Sequence, residues 1–208
     1  MHIKEQLLKR IDEGLLNMLI RKLEAADLDG VVAVHKTSYP KGHLTSFFPA
    51  SMLKDYYASM VSDINIALVA VSTENQVLGF VIGGNEVKKD FKKFITNNIY
   101  GLTMVSIRNP VSAVSYLLNF LKPGRRVASK AKTRLLSIAV SSSQQGTGIG
   151  HKLIKAFEDI LSSRNVYFYG LSVKKDNQSA KKFYDRAGFV IEFETSDGLY
   201  YYKKITAE

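Results

Sequence analysis

An α/β fold around a mixed sheet is what this sequence predicts, and three observations predict it. From Leu135 onward, short β-branched or aromatic runs alternate with amphipathic stretches of helical period. Upstream, Ile66–Val71 and Val77–Ile82 are β-branched runs separated by the polar turn Ser72–Gln76, a hairpin pattern. The 208 residues are 46% hydrophobic and 23% charged, enough for a real core and for one domain over residues 1–208.

The elements run in order along the chain. Ile3, Leu7, Leu8, Ile11, Leu15 and Leu16 lie at helical spacing, so residues 3–16 read as a helix packed on one face. Met18–Leu23 alternates and reads as a first strand. Ala26–Ser38 sets Leu28, Val31, Val32 and His35 on one helix face, and it stops before Pro40, which pushes its predecessor out of the helical region. Tyr39–Pro49 is a loop of turn formers and aromatics, and Ser51–Val61 is another helix.

After the hairpin come short helices around Asp90–Asn97 and Pro110–Leu121. Proline is tolerated in a first helical turn, and Pro123-Gly124 closes the second helix. Leu135–Val140 reads as a buried strand and Gly148–Leu161 as a helix. Tyr167–Val173 is a strand and Ser179–Ala187 a short helix. Phe189–Thr195 and Leu199–Ile205 are strands joined across Ser196-Asp197-Gly198.

Composition excludes several chemistries. Without cysteine there are no disulfides, thiolate nucleophiles or cysteine-bound metals. The four histidines (2, 35, 43 and 151) lack metal-ligand spacing, and no carboxylate-rich loop accompanies them. Ser141–Ser143 lack the GxSxG setting of a nucleophile elbow. The charged N-terminus has no apolar signal run. The apolar stretch Ile99–Leu121 is broken by Arg108, Asn109 and Pro110, short of the ~20 apolar residues a spanning helix needs. A cytoplasmic location is expected.

The sharpest feature is LLSIAVSSSQQGTGIGHKL, Leu135–Leu153. A strand runs through a polar turn into Gln145-Gly146-Thr147-Gly148-Ile149-Gly150 and straight into a helix. Glycines at such a junction let backbone N–H groups converge on an anion, and the helix dipole favours negative charge there. A phosphate-binding GxxxxGK[ST] loop fails because His151 stands where glycine is needed. A GxGxxG dinucleotide fingerprint fails on the same residue. The pattern [Q/R]-x-x-G-x-[G/A] is met by Gln145, Gly148 and Gly150. The competing reading is a glycine-rich turn that only permits tight packing.

This stretch resembles the coenzyme-A loop of the Gcn5-related N-acetyltransferases (the GNAT superfamily). The run from Val173 through Asn177, Ala180, Phe183 and Tyr184 to Gly188-Phe189 is similar to that family's downstream signature. The resemblance implies a mostly antiparallel central sheet flanked by helices, opened between its fourth and fifth strands, with acetyl-CoA as cofactor. It implies pantetheine contacts on Ile138, Ala139, Val140 and Ser142, and pyrophosphate on Gln145, Gly146, Thr147, Gly148, Ile149 and Gly150. Asn177, Ala180 and Phe183 would flank the cofactor. Tyr184 would stand near the thioester sulfur, where a phenol can protonate a departing thiolate; the alternative is a core tyrosine with a satisfied hydroxyl. The resemblance places the acceptor side on the first helices and their loop, making His43 the first candidate for the base and Glu86 the second. His35 reads as a helix-face residue and His151 as a helix-start residue. The implied activity is N-acetylation of a primary amine on a small molecule. The rival is a non-catalytic acyl-CoA-binding module or membrane-docked adaptor.

Net charge is +10, and it sits in one place. Residues 88–134 hold eleven of the 29 basic residues and one of the 19 acids, leaving eighteen of each elsewhere. The helical insertion at 85–134, between the third and fourth strands, combines those cations with Phe91, Phe94, Ile95, Tyr100 and Phe120. It resembles family branches that act on amino sugars. Three readings fit it: a lid for a phosphate-bearing acceptor such as a nucleotide sugar, a basic surface on anionic lipid, or a solvated face over helices packed on the core or on a second subunit of a homodimer. Nucleic acid is not expected, because no recognised binding module accompanies the charge.

Overall fold

A computed structural model describes residues 18–40, 43–85, 87–108, 129–196 and 198–206. Seven strands form one sheet: β1 (Met18–Lys22), β2 (Ile66–Ser72), β3 (Val77–Gly84), β4 (Thr133–Val140), β5 (Phe168–Lys174), β6 (Val190–Glu194) and β7 (Gly198–Lys204). Their spatial order is β1-β2-β3-β4-β5-β7-β6. All neighbours are antiparallel except β4 and β5, which run parallel. The mixed, mostly antiparallel sheet expected from the sequence is present.

Both faces of the sheet are covered, so its central strands are buried on two sides. In β2, Ala67, Val69 and Val71 face one core while Ile66, Leu68 and Ala70 face the other. The first core is roofed by α1 (Leu28–Ser38), α2 (Ala50–Met60), α3 (Val87–Asn97) and α4 (Ile99–Arg108). The second is covered by α5 (Ile149–Ser163) and α6 (Gln178–Arg186).

Helix α1 is entered through a 3₁₀ turn at Ala25–Asp27, fixed by a bidentate pair from Arg21 to Asp27 at 2.7 and 2.8 Å. Helix α4 lies in a stretch to which the sequence reading assigns no element. Helix α3 begins three residues earlier than expected. The expected helices at 3–16 and Pro110–Leu121 lie outside the described residues. Within the insertion, Phe94 and Val105 are buried in the first core, and Phe94 meets Phe48 and Tyr56 at ring distances of 6.0 and 5.3 Å. Lys92 and Lys93 on the same helix are exposed. No helix among the described residues is long and apolar enough to cross a membrane.

The sheet carries one irregularity beside its opening. Ile82 of β3 pairs with Ser137, but Gly83 pairs with Leu135, so Leu136 is an extra residue on β4. A side-chain period of two means that one inserted residue exchanges the faces beyond it. Leu135 accordingly lies in the second core and Ala139 in the first. Gly83 permits the close approach: a Cβ there would stand 2.6 Å from the Arg134 carbonyl oxygen and 2.7 Å from the Phe157 ring.

Candidate active site

Strands β4 and β5 are paired at only two positions, Thr133 with Tyr169 and Arg134 with Gly170, and then part. Beyond Gly170, β5 continues in register with β7 alone. On its other side β4 stays on β3, where the Ser141 N–H donates to the Leu78 carbonyl at 2.8 Å. Antiparallel ladders alternate, so the N–H and C=O groups of Ile138 and Val140 turn the opposite way, into the opening. The Val140 carbonyl accepts the Ser38 hydroxyl at 2.7 Å; among the described residues no strand stands opposite the others. An extended chain such as a pantetheine arm could supply the missing partner. Ala139 faces the first core instead.

At the end of β4 the chain passes through a 3₁₀ turn, Ser142–Gln144, and reaches the glycine segment. Gly146 and Gly148 have φ of +83° and +90°, the left-handed region in which side chains are disfavoured. A Cβ at either would meet nothing within 4 Å. Backbone conformation, not crowding, calls for these glycines, and the space above them is open. Thr147 ties the turn by donating to the Gln144 carbonyl at 2.7 Å. Gly148 is the N-cap of α5, with no side chain capping the helix and no acid in its first turn. The first N–H groups of a helix have no internal acceptors, so those at Ile149 and Gly150 are available to an anion. Gly150 differs: a Cβ there would stand 3.0 Å from Phe183, so its role is to let α6 close on α5. The donor set suits a diphosphate, and the residues present fit the pyrophosphate of coenzyme A.

Asn177 is the N-cap of α6, its side-chain oxygen accepting the Ala180 N–H at 3.1 Å. That leaves its amide NH₂ for other partners. Phe183 lies against His151, 5.0 Å between ring centres. Tyr184 is buried among Phe183, Phe189 and Tyr201. Burial pushes its hydroxyl well above the ordinary range for a phenol, and the nearby Tyr39 phenol pushes it further. Tyr184 therefore keeps its proton at neutral pH.

His43 and the loop around it hold what sequence reasoning does not find. The His43 Nδ1 lies 2.8 Å from the Thr45 hydroxyl, which also lies 3.1 Å from His35 Nε2. His35 Nδ1 lies 2.6 Å from the Tyr57 hydroxyl. The Ser137 hydroxyl is 2.5 Å from Tyr39 and 3.5 Å from Tyr57. His35, from sequence one more helix-face residue, is fully buried, and its ring stacks on Tyr39 at 3.8 Å. The spacing of His35 and Tyr39 at i and i+4 is the one local signal. The β4 bulge is what turns Ser137 toward them. Glu86, the second base candidate, lies outside the described residues.

Burial, helped by His43, lowers His35 to about 4, and burial with Lys174 nearby lowers His43 to about 4. Both imidazoles are neutral in the folded chain at pH 7. Since an unfolded histidine titrates near 6.5, the unfolded chain binds protons that the folded chain refuses between about pH 6.5 and 4. Stability present above pH 6.5 is thus lost as pH falls through this window. For His35 alone the loss between pH 7 and 5 is about 2 kcal/mol. Urea denaturation at the two pH values should show it, and His35→Gln should flatten the difference; a wild-type midpoint independent of pH would contradict the burial of a neutral imidazole.

Known acetyltransferases share this architecture. The structure superposes on the PaiA N-acetyltransferase of Thermoplasma acidophilum, solved with coenzyme A, with a TM-score of 0.59 at 16% identity, covering 90% of this chain and 98% of that one. It matches SsHAT with a TM-score of 0.61 at 20% identity, over 92% and 100% of the two chains. At those identities the likeness is one of fold. A 67-residue stretch is 37% identical to the 5-NmdU N-acetyltransferase of Pseudomonas phage PaMx11, covering 32% of this chain and 46% of that one, so the chain spans about half the length of this curated relative. The acetyltransferase (GNAT) family model matches residues 28–189, from the start of α1 to the turn after α6, and the chain belongs to that family.

Proposed function

We propose that this chain is an acetyl-CoA-dependent N-acetyltransferase acting on a primary amine of a small molecule, and that it works as one domain in the cytoplasm. The observation that carries this reading is the parting of β4 from β5 next to an uncapped, glycine-opened helix start. Acetyl-CoA, when bound, supplies an acetyl group on a reactive thioester. Gly146, Thr147 and Gly148 with the first N–H groups of α5 hold the pyrophosphate, and Gln145 flanks it. The opening-facing backbone of Ile138 and Val140 aligns the pantetheine arm beside Ser142. Asn177, Ala180 and Phe183 line the far side. Tyr184 donates a proton to the departing sulfur, and His43 receives one from the amine.

The acceptor is an amino sugar, or 5-NmdU, the acceptor in the name of the phage relative. The exposed cations of the insertion suit a phosphate on that acceptor. Thiol release from acetyl-CoA with glucosamine and with 5-NmdU tests the reading. Turnover with either supports it. Coenzyme A binding without turnover on these or a wider panel of primary amines would favour a non-catalytic binding module.

A further inference from the structure

A primary amine at neutral pH is an ammonium with three N–H protons, and an N-substituted amide keeps one. Two protons must leave. One ends on the departing sulfur, which Tyr184 serves in the proposed acetyltransferase reaction, on which this inference rests. The second needs another route, because its bonding partner is neither product.

We infer that Tyr39, Ser137, Tyr57, His35, Thr45 and His43 form one hydrogen-bonded relay that carries this second proton from the strand opening to the partly exposed imidazole of His43. Every link joins groups that can both give and take a proton, and four of the five are short contacts. The heavy-atom distances are 2.5 Å (Tyr39–Ser137), 3.5 Å (Ser137–Tyr57), 2.6 Å (Tyr57–His35), 3.1 Å (His35–Thr45) and 2.8 Å (Thr45–His43). The one long link falls at the Ser137 hydroxyl, whose hydrogen can turn from Tyr39 toward Tyr57 but whose oxygen must move closer to Tyr57 for the hand-over.

The transfer balances. The Tyr39 oxygen takes a proton from the ammonium and passes its own to Ser137, Ser137 to the Tyr57 oxygen, and Tyr57 to His35 Nδ1. His35 gives the proton on Nε2 to the Thr45 oxygen, Thr45 gives its own to His43 Nδ1, and His43 releases one from Nε2 to water. One proton enters, one leaves, and each member ends neutral. Both imidazoles then carry their proton on Nδ1 and must regain the Nε2 tautomer before the next turnover. The route requires His35 to carry its resting proton on Nε2, with Nδ1 accepting from Tyr57. An imidazolium could not accept, and burial holds both rings neutral.

Three elements and one loop build the line, and only the Thr45–His43 link is local in sequence. Tyr39 and His35 come from α1 and its end, Tyr57 from α2, and Ser137 from β4 beyond its bulge; Thr45 and His43 come from the loop between the two helices. Ser137, Thr45 and His35 are all buried, so the polar line is sealed from bulk water except at its ends. A buried polar network needs every member satisfied, and this one leaves no member's side-chain N or O atom buried without a partner.

The test is Thr45→Val, which removes one hydroxyl at nearly constant shape. In the free chain at pH 7, nitrogen NMR of the imidazoles should show His35 protonated on Nε2, and the substitution should shift the ring signals of both His35 and His43. In thiol-release assays with glucosamine or 5-NmdU, kcat should fall by ~30-fold or more, within the range for assisted proton transfer, while the KM for acetyl-CoA stays near wild type. Thr45→Ser should restore kcat, and Tyr39→Phe should reproduce the loss. A folded Thr45→Val chain with wild-type kcat overturns the relay and leaves the acetyltransferase reading standing. A wild-type chain that binds coenzyme A but releases no thiol overturns both.

Discussion

Gly148→Glu should leave the chain folded and remove its affinity for coenzyme A. Gly148 has φ of +90°, and placing an L-residue there costs about 1–2 kcal/mol. A Cβ at this position meets no atom within 4 Å, so no clash adds to that cost. The carboxylate would also lie at the positive end of α5, which partly offsets the strain. The same placement ruins the anion site. It competes for the N–H groups of the first helical turn and sets a negative charge against the diphosphate. Two unit charges 4 Å apart at an effective dielectric near 20 interact by ~4 kcal/mol, so the dissociation constant should rise ~100-fold or more. Calorimetric titration with coenzyme A measures it, with circular dichroism reporting the fold. Gly148→Ala separates the effects, since it keeps the strain and omits the charge, and its loss of affinity should be much the smaller. Tight coenzyme A binding by a folded Gly148→Glu chain would place the pyrophosphate elsewhere.

Tyr184→Phe should lower turnover by ~10-fold or more while coenzyme A affinity stays near wild type. The substitution keeps the ring and its contacts with Phe183, Phe189 and Tyr201. It deletes only the hydroxyl, whose proton burial retains at any pH at which the enzyme would be assayed. Because the phenol does not ionise in that range, Tyr184 should contribute no alkaline limb to the pH–rate profile. The loss should appear in kcat, since proton donation to the sulfur matters once the C–S bond is breaking. Unchanged turnover would remove Tyr184 from the chemistry and leave it a core tyrosine.

Most of the framework is legible in the sequence because its signals are local. Ile66–Val71 and Val77–Ile82 carry β-branched runs on either side of a turn, and they form the β2–β3 hairpin. The polar turn, Gly146 and Gly148 announce a strand-to-helix junction, since only glycine readily adopts the φ values found there. Gly150 reads from sequence as part of the same anion loop, yet its lack of a side chain serves the Phe183 contact, which joins residues 33 positions apart. Helix α4 (Ile99–Arg108) is fixed by packing of Val105 into the first core, a contact the local sequence does not announce.

By itself the sequence determined the order of the strands, the place of most helices and the glycine-opened start of α5. Each follows from backbone preference or hydrophobic period over a few residues. Only the tertiary structure decided that β4 leaves β5 after two pairs, that Leu136 bulges, and that Ser137 therefore meets Tyr39, 98 residues away in the chain. It also decided that His35 is a buried, neutral link rather than one face of a helix. Bulges, strand divergence and side-chain hydrogen bonds between distant elements depend on what packs across the sheet, and no short stretch of sequence encodes its own partner.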